Sequence, residues 1–130
     1  MQTIVGTEWV IDAWGCDPAR LADRDALVRL FDAILADLAL IPVGEPRWHV
    51  FPGPGGVTGL VMLTESHLAC HTYPEHGVAT FNLYCCRPRE SWPWAERLAE
   101  ALGASHVTVR IFERGAEGLA FHALEAGEQC

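Results

Sequence analysis

Residues 57–86 read Val57-Thr-Gly-Leu-Val-Met-Leu-Thr-Glu-Ser-His-Leu-Ala-Cys-His-Thr-Tyr-Pro-Glu-His-Gly-Val-Ala-Thr-Phe-Asn-Leu-Tyr-Cys-Cys86, and this block decides the fold. It divides into three strands, 57–64, 67–73 and 78–85, rich in β-branched and apolar residues with short connections. Pro74-Glu-His-Gly77 supplies the second connection, because proline presets φ and glycine admits the left-handed region. In the third strand Ala79, Phe81, Leu83 and Cys85 fall on one face, and Val78, Thr80, Asn82, Tyr84 and Cys86 on the other. The first set is apolar and belongs against helices. The second is more polar and belongs toward a site or an interface.

Outward from this block, residues 8–14 read as a first strand stopped by Gly15-Cys16-Asp17-Pro18, and 47–51 as another, followed by the Pro52–Gly56 loop. Asp23 caps an expected helix to about Ala39, with Leu27, Leu30, Phe31, Ile34, Leu35 and Leu38 on one stripe. Ser91 is the expected cap of a second helix, with Trp94, Leu98 and Leu102 inward and Gly103 as its stop. His106–Phe112 alternates as a last strand, and the Ala-, Glu- and Gly-rich tail over 115–130 is expected to fray. This order predicts one domain over 1–130, an α+β two-layer sandwich with a mainly antiparallel sheet and two helices on one face. The uncovered sheet face predicts pairing with a second copy.

At 130 residues the chain is one domain's length, and it can bury roughly two-thirds of its unfolded surface. Its net charge of -8 argues against gripping nucleic acid or anionic lipid. All nine basic residues are arginine, so lysine-anchored pyridoxal phosphate, a P-loop lysine and a lysine nucleophile are excluded. Five cysteines without framework spacing, no visible signal peptide and no membrane-length apolar run lead to the expectation of a reduced, cytoplasmic protein.

Chemistry-bearing residues concentrate in 65–86, which holds His67, His71 and His76, Cys70, Cys85 and Cys86, and the acids Glu65 and Glu75. The spacing lacks C-x-x-C, H-E-x-x-H and any second ligand pair, so no metal is expected. Ser66 is not in a nucleophile elbow, and nothing marks a triad. A third reading, beside a metal site and a hydrolase, is a self-cleaving Glu65–Ser66 bond.

The run Glu65-Ser-His-x-x-x-His71-Thr-Tyr-Pro-Glu-His-Gly77, followed by a strand ending in Cys86, resembles the signature of prokaryotic S-adenosylmethionine decarboxylase proenzymes. The likeness spans most of the chain, from the first strand to Phe112. It implies that Ser66 attacks the Glu65 carbonyl to form an ester, and that His71 helps remove the Ser66 α-proton. Elimination and hydrolysis then leave a pyruvoyl group on residue 66, with chains 1–65 and 66–130. That ketone would stand in for pyridoxal phosphate, forming a Schiff base with the substrate amine, and Cys86 would return a proton to the product carbon. The resemblance further implies that Thr58 assists processing and that Phe51 stacks on the substrate adenine. It places Tyr73 where a tryptophan is common, and gives Glu75 a contact with the ribose or a neighbouring subunit. The implied partner is a small molecule, S-adenosylmethionine for spermidine synthesis, handled by a dimer of cleaved heterodimers or a larger assembly.

Departures from the family pattern include Asn82 in place of an acid, Ala69-Cys70 in place of Ser-Ile, and Arg87-Pro-Arg-Glu90 after Cys86 in place of Gly-Asp. They leave open arginine or ornithine as the substrate, with Glu8 and Glu75 facing its distal cation, and also a non-catalytic regulatory paralogue. Strand alternation puts Ser66 and His71 on opposite faces, so a bend between them is expected.

Overall fold

The computed structural model describes residues 4–115 and the backbone of 121–128. Alternation in the block quoted above resolves into β3 (Val57–Leu63), β4 (Ser66–Tyr73) and β5 (Val78–Cys85), with a 3-10 turn at Pro74–His76 between the last two. Gly77 closes that turn at φ 64, a conformation glycine adopts without steric cost. The remaining strands are β1 (Gly6–Trp14), β2 (Arg47–Val50), β6 (His106–Arg114) and β7 (Phe121–Glu128). They form one antiparallel sheet in the order β2-β3-β4-β5-β1-β6-β7.

One face of this sheet is the core. Trp9, Ile11 and Ala13 of β1, Leu68 and Cys70 of β4, Phe81, Leu83 and Cys85 of β5, and Val107 and Val109 of β6 are all buried in a single cluster. Packed onto them are α2 (Arg24–Asp37) through Leu27, Leu30, Phe31 and Ile34, and α3 (Trp94–Leu102) through Trp94, Leu98 and Leu102. The α+β sandwich is therefore as expected, with the face assignment of β5 correct residue by residue. Asp23 caps α2, accepting from the Asp25 and Ala26 amides, and Gly103 ends α3 in the left-handed conformation.

Three expectations need correction. A one-turn helix, α1 (Pro18–Leu21), precedes α2, capped by Asp17; four residues are too few to show a helical period in sequence. The residue before α3 is Pro93 rather than Ser91, and it makes no side-chain cap bond. Within the tail expected to fray, Phe121–Glu128 pairs with β6, giving partners to main-chain groups that would otherwise line an open edge. Residues 116–120, 129 and 130 of that tail lie outside the described residues.

The opposite sheet face is only half covered and carries cross-strand polar contacts. Arg110 bonds Asp12 at 2.8 Å. His67 Nε2 lies 2.8 Å from Asn82 Oδ1, and Asn82 Nδ2 donates to Glu8 Oε2 at 2.7 Å. Arg114 completes this chain by pairing with the second Glu8 oxygen.

Candidate active site

Two regions at opposite ends of β4 gather the residues singled out by the sequence. At the Tyr73 end, the Pro52–Gly56 loop folds beside β3 and β4 and encloses a cleft of about 480 Å³. Phe51, Thr58, His71, Tyr73 and Glu75 all line it. Thr58 and His71 are register partners across β3 and β4, and Thr58 Oγ1 lies 3.2 Å from His71 Nδ1. Phe51 and Tyr73 remain well exposed at 49% and 40%, and Phe51 stands edge-on to His49 with ring centroids 4.6 Å apart. Such aromatic faces suit a flat or cationic ligand. Gly56 closes the floor, where a Cβ would sit 2.1 Å from the Thr72 carbonyl oxygen. Thr72 itself is a buried tie: its hydroxyl accepts from the Val57 amide at 2.9 Å and donates to the Leu21 carbonyl at 2.7 Å.

At the other end, the turn at Thr64–Glu65 leads directly into Ser66. Ser66 pairs with Cys85 and shares its inward face, and its Oγ is buried without a hydrogen-bond partner among the described residues. The adjoining Glu65 carbonyl accepts from the Cys86 amide at 3.1 Å. A main-chain donor on that oxygen draws electron density from the carbonyl carbon and would stabilise an oxyanion there. Burial pushes the Cys85 thiol up to about 11, whereas Cys86 is exposed, so the two neighbours differ in access as their strand faces require.

β4 runs without interruption from Ser66 to Tyr73 in register with both neighbours, so the expected bend is absent. Five steps of about 3.3 Å place Ser66 and His71 roughly 16 Å apart along the strand and on opposite faces. A single chain does not bring them together. His67 and His71 also have different neighbours, Asn82 and Thr58. Among the described residues, no group of three or more His, Cys, Asp or Glu side chains converges as metal donors would. Glu8 is held by Asn82 and Arg114 at the far end of the sheet from Glu75, so these two acids do not meet around one ligand.

A family model described as S-adenosylmethionine decarboxylase matches residues 7–115. The chain belongs to the S-adenosylmethionine decarboxylase family. Among curated relatives, an S-adenosylmethionine decarboxylase proenzyme of Geobacillus kaustophilus is 40% identical over 101 residues, 77% of this chain and 79% of that protein. One of Caldicellulosiruptor saccharolyticus is 35% identical over 115 residues, 85% of this chain and 89% of the other. The fold also matches the crystal structure of the adenosylmethionine decarboxylase from Aquifex aeolicus, with TM-score 0.72 and 24% identity over 93% of this chain and 99% of that one. The resemblance read from 65–86 is therefore correct at the level of family and fold. Within this family's framework, the sequence reading missed the main-chain donor on Glu65, the arginines that surround that residue, and the His67–Asn82–Glu8–Arg114 chain. The last two had visible signs, the departures at Arg87-Pro-Arg-Glu90 and at Asn82; the main-chain donor had none.

Proposed function

We propose that this chain is a self-processing S-adenosylmethionine decarboxylase whose pyruvoyl group is made from Ser66. The observation that carries the reading is the pairing of a buried Ser66 hydroxyl, without a partner among the described residues, with a Glu65 carbonyl already held by the Cys86 amide. Addition of Oγ–H to that carbonyl, with cleavage of the C–N bond and transfer of the proton to nitrogen, yields an ester and a free amine on residue 66. Loss of the Cα proton and of the Cβ–O bond then releases residues 1–65 with a carboxylate at Glu65. The dehydroalanine left behind tautomerises to an imine, and water replaces its nitrogen, which leaves as ammonia.

These groups fit the prosthetic group they would create, since the hydroxyl has no competing bond among the described residues and the chain already turns at the cut. A pyruvoyl group at residue 66 supplies the carbonyl that takes up electrons as carbon dioxide departs. Cys86, exposed and tied through its amide to the Glu65 carbonyl, is the residue assigned to deliver a proton to the product carbon. Thr58 and His71 form the base pair of the processing step, Thr58 orienting the imidazole through its 3.2 Å contact. Phe51 and Tyr73 clasp the purine and sulfonium, and Glu75 takes the ribose hydroxyls.

Because His71 lies roughly 16 Å from Ser66 on its own strand, the base for one chain comes from a second copy, joined through the half-covered sheet face. The assembly is thus a dimer of cleaved heterodimers with shared sites. The four cysteines among the described residues are free thiols, in keeping with a reducing cytoplasm, and the net charge of -8 favours a small molecule over nucleic acid as partner. Among the described residues no helix is long and apolar enough to cross a membrane. Arginine, ornithine and a non-catalytic role are not favoured, since the family and both curated relatives carry the name of the adenosylmethionine enzyme or its proenzyme.

The deciding experiment is the intact mass of the purified protein. Two fragments divided between Glu65 and Ser66, the second beginning with pyruvoyl, are expected, together with carbon dioxide release from S-adenosylmethionine but not from arginine or ornithine. A single full-length chain after long incubation would refute the reading.

A further inference from the structure

The loop that follows β5 surrounds Glu65 in a way that no motif in the sequence announces. The Glu65 side chain is 13% exposed and faces two guanidinium groups. Arg89 Nη2 bonds its Oε1, and Arg87 Nε lies 3.3 Å from its Oε2. The two arginines are unequal. Arg87 is 77% exposed and screened by solvent, whereas Arg89 is 22% exposed and forms the buried part of the pair. Removing one partner from such a pair leaves a charge uncompensated, so the pair fixes geometry strongly. Arg89 Nε is also buried without a partner among the described residues, an uncommon condition for a buried donor. Finally, Arg89 stands three residues after Cys86, whose amide holds the Glu65 carbonyl. One short loop therefore grips Glu65 at its main-chain oxygen and at its side chain.

We infer that Arg89 is a positioning residue for self-cleavage: it anchors Glu65 so that its carbonyl stays aligned with Ser66 Oγ, and it offers its unpaired Nε–H to the carboxylate that cleavage creates there. This rests on the self-processing proposed above. When the Cβ–Oγ bond of residue 66 breaks, both bonding electrons stay with the Glu65 carboxyl group. Glu65 then bears two negative charges facing two guanidinium groups, so the charges balance only after the cut. Before it, a loop-tip carbonyl held by one amide would swing with the turn, and small misplacements of reacting atoms are costly in rate.

The test follows first-order cleavage of freshly translated chain by gel and mass, with wild type, Arg89→Met, Arg89→Lys, Glu65→Gln and the Glu65→Gln/Arg89→Met double variant. Arg89→Met and Glu65→Gln are each expected to slow cleavage roughly 10- to 100-fold. The double variant should be no slower than the slower single, and Arg89→Lys should recover part of the rate. Melting temperatures measured in the uncleavable Ser66→Ala background report folding separately. If Arg89→Met fails to fold there, Glu65→Gln carries the test alone. Wild-type cleavage rates in Arg89→Met or Glu65→Gln would overturn the inference, as would losses that multiply in the double variant. A wild-type chain that never cuts would instead overturn the self-processing reading.

Discussion

The two ends of β4 are built on opposite physical terms. At the Ser66 end the groups are enclosed: the hydroxyl is buried, the Glu65 carbonyl is held by a main-chain amide, and the Glu65 carboxylate is clasped by arginine. At the Tyr73 end they are open, with exposed aromatic rings around a cleft of about 480 Å³ and a histidine supported by one threonine. Enclosure suits the proposed self-cleavage, where alignment of the reacting groups sets the rate. Openness suits a ligand that must enter and leave repeatedly. The strand between them is too long and straight for either end to serve the other within one chain.

The largest effect available breaks the comparison at the enclosed end. Ser66→Ala should abolish cleavage and leave a folded, full-length, inactive protein, seen by mass and circular dichroism. His71→Ala alone should also remain uncut or stall as an ester that hydroxylamine releases. Co-expressed, the two variants should restore cleavage of the His71→Ala chains, because each supplies what the other lacks. No cleavage in the mixture would refute a site shared between copies.

Next in size is the contrast between neighbouring thiols. Cys86→Ala should lower turnover by roughly 100-fold or more, the range for a positioned proton donor. Cys85→Ala should leave turnover near wild type and cost about 1 kcal/mol of stability through the lost packing of its buried sulfur. Equal losses in turnover would undo the face assignment of β5. At the open end, Phe51→Ala should raise KM about tenfold through lost ring contact while leaving the cleavage rate unchanged. A matching loss in cleavage would mean that the two ends are not separate.

The smallest effect concerns pH. Burial raises Cys16 and Cys85 to about 11 and Cys70 to about 12, from an ordinary value of 9.0. Above pH 9 the unfolded chain loses these protons while the folded chain keeps them, so the unfolded state binds fewer protons and stability falls. The decline should continue until the folded thiols titrate near 11 to 12. With no lysine in the chain, urea midpoints between about pH 8 and pH 10 report this slope with little interference, and Cys85→Ala should make it shallower.

Much of this was legible in the sequence because period-2 and period-3.6 patterns report burial directly. The inward faces of the strands from 57 to 85 and the stripes of α2 and α3 are buried as the patterns select, except that Leu35 and Leu38 are only partly buried and Leu38 caps the end of α2. Five implied site residues gather in one cleft because register pairing and the Pro52–Gly56 loop bring 51, 58, 71, 73 and 75 together. What stayed hidden has a common cause. The Glu65–Arg89 pair and the Asn82–Glu8 bond join residues 24 and 74 positions apart, and no local period encodes such contacts. The bend expected between Ser66 and His71 is absent because β4 stays in register with both neighbours along its whole length, and no local pattern reports such pairing. β7 was missed for a different reason, since its Ala- and Gly-containing stretch has weak strand preference, and pairing with β6 overrides it.

The bond from the Cys86 amide to the Glu65 carbonyl has a consequence for maturation. Its donor is main chain, so side-chain drift at position 86 leaves it in place and only proline would delete it. It forms when the end of β5 closes against the turn that opens β4, an event of folding. On the proposed chemistry no protease is needed, but strand closure only sets the carbonyl in place. The cut itself waits for the second copy that brings His71, so the enzyme's age as a catalyst is counted from assembly.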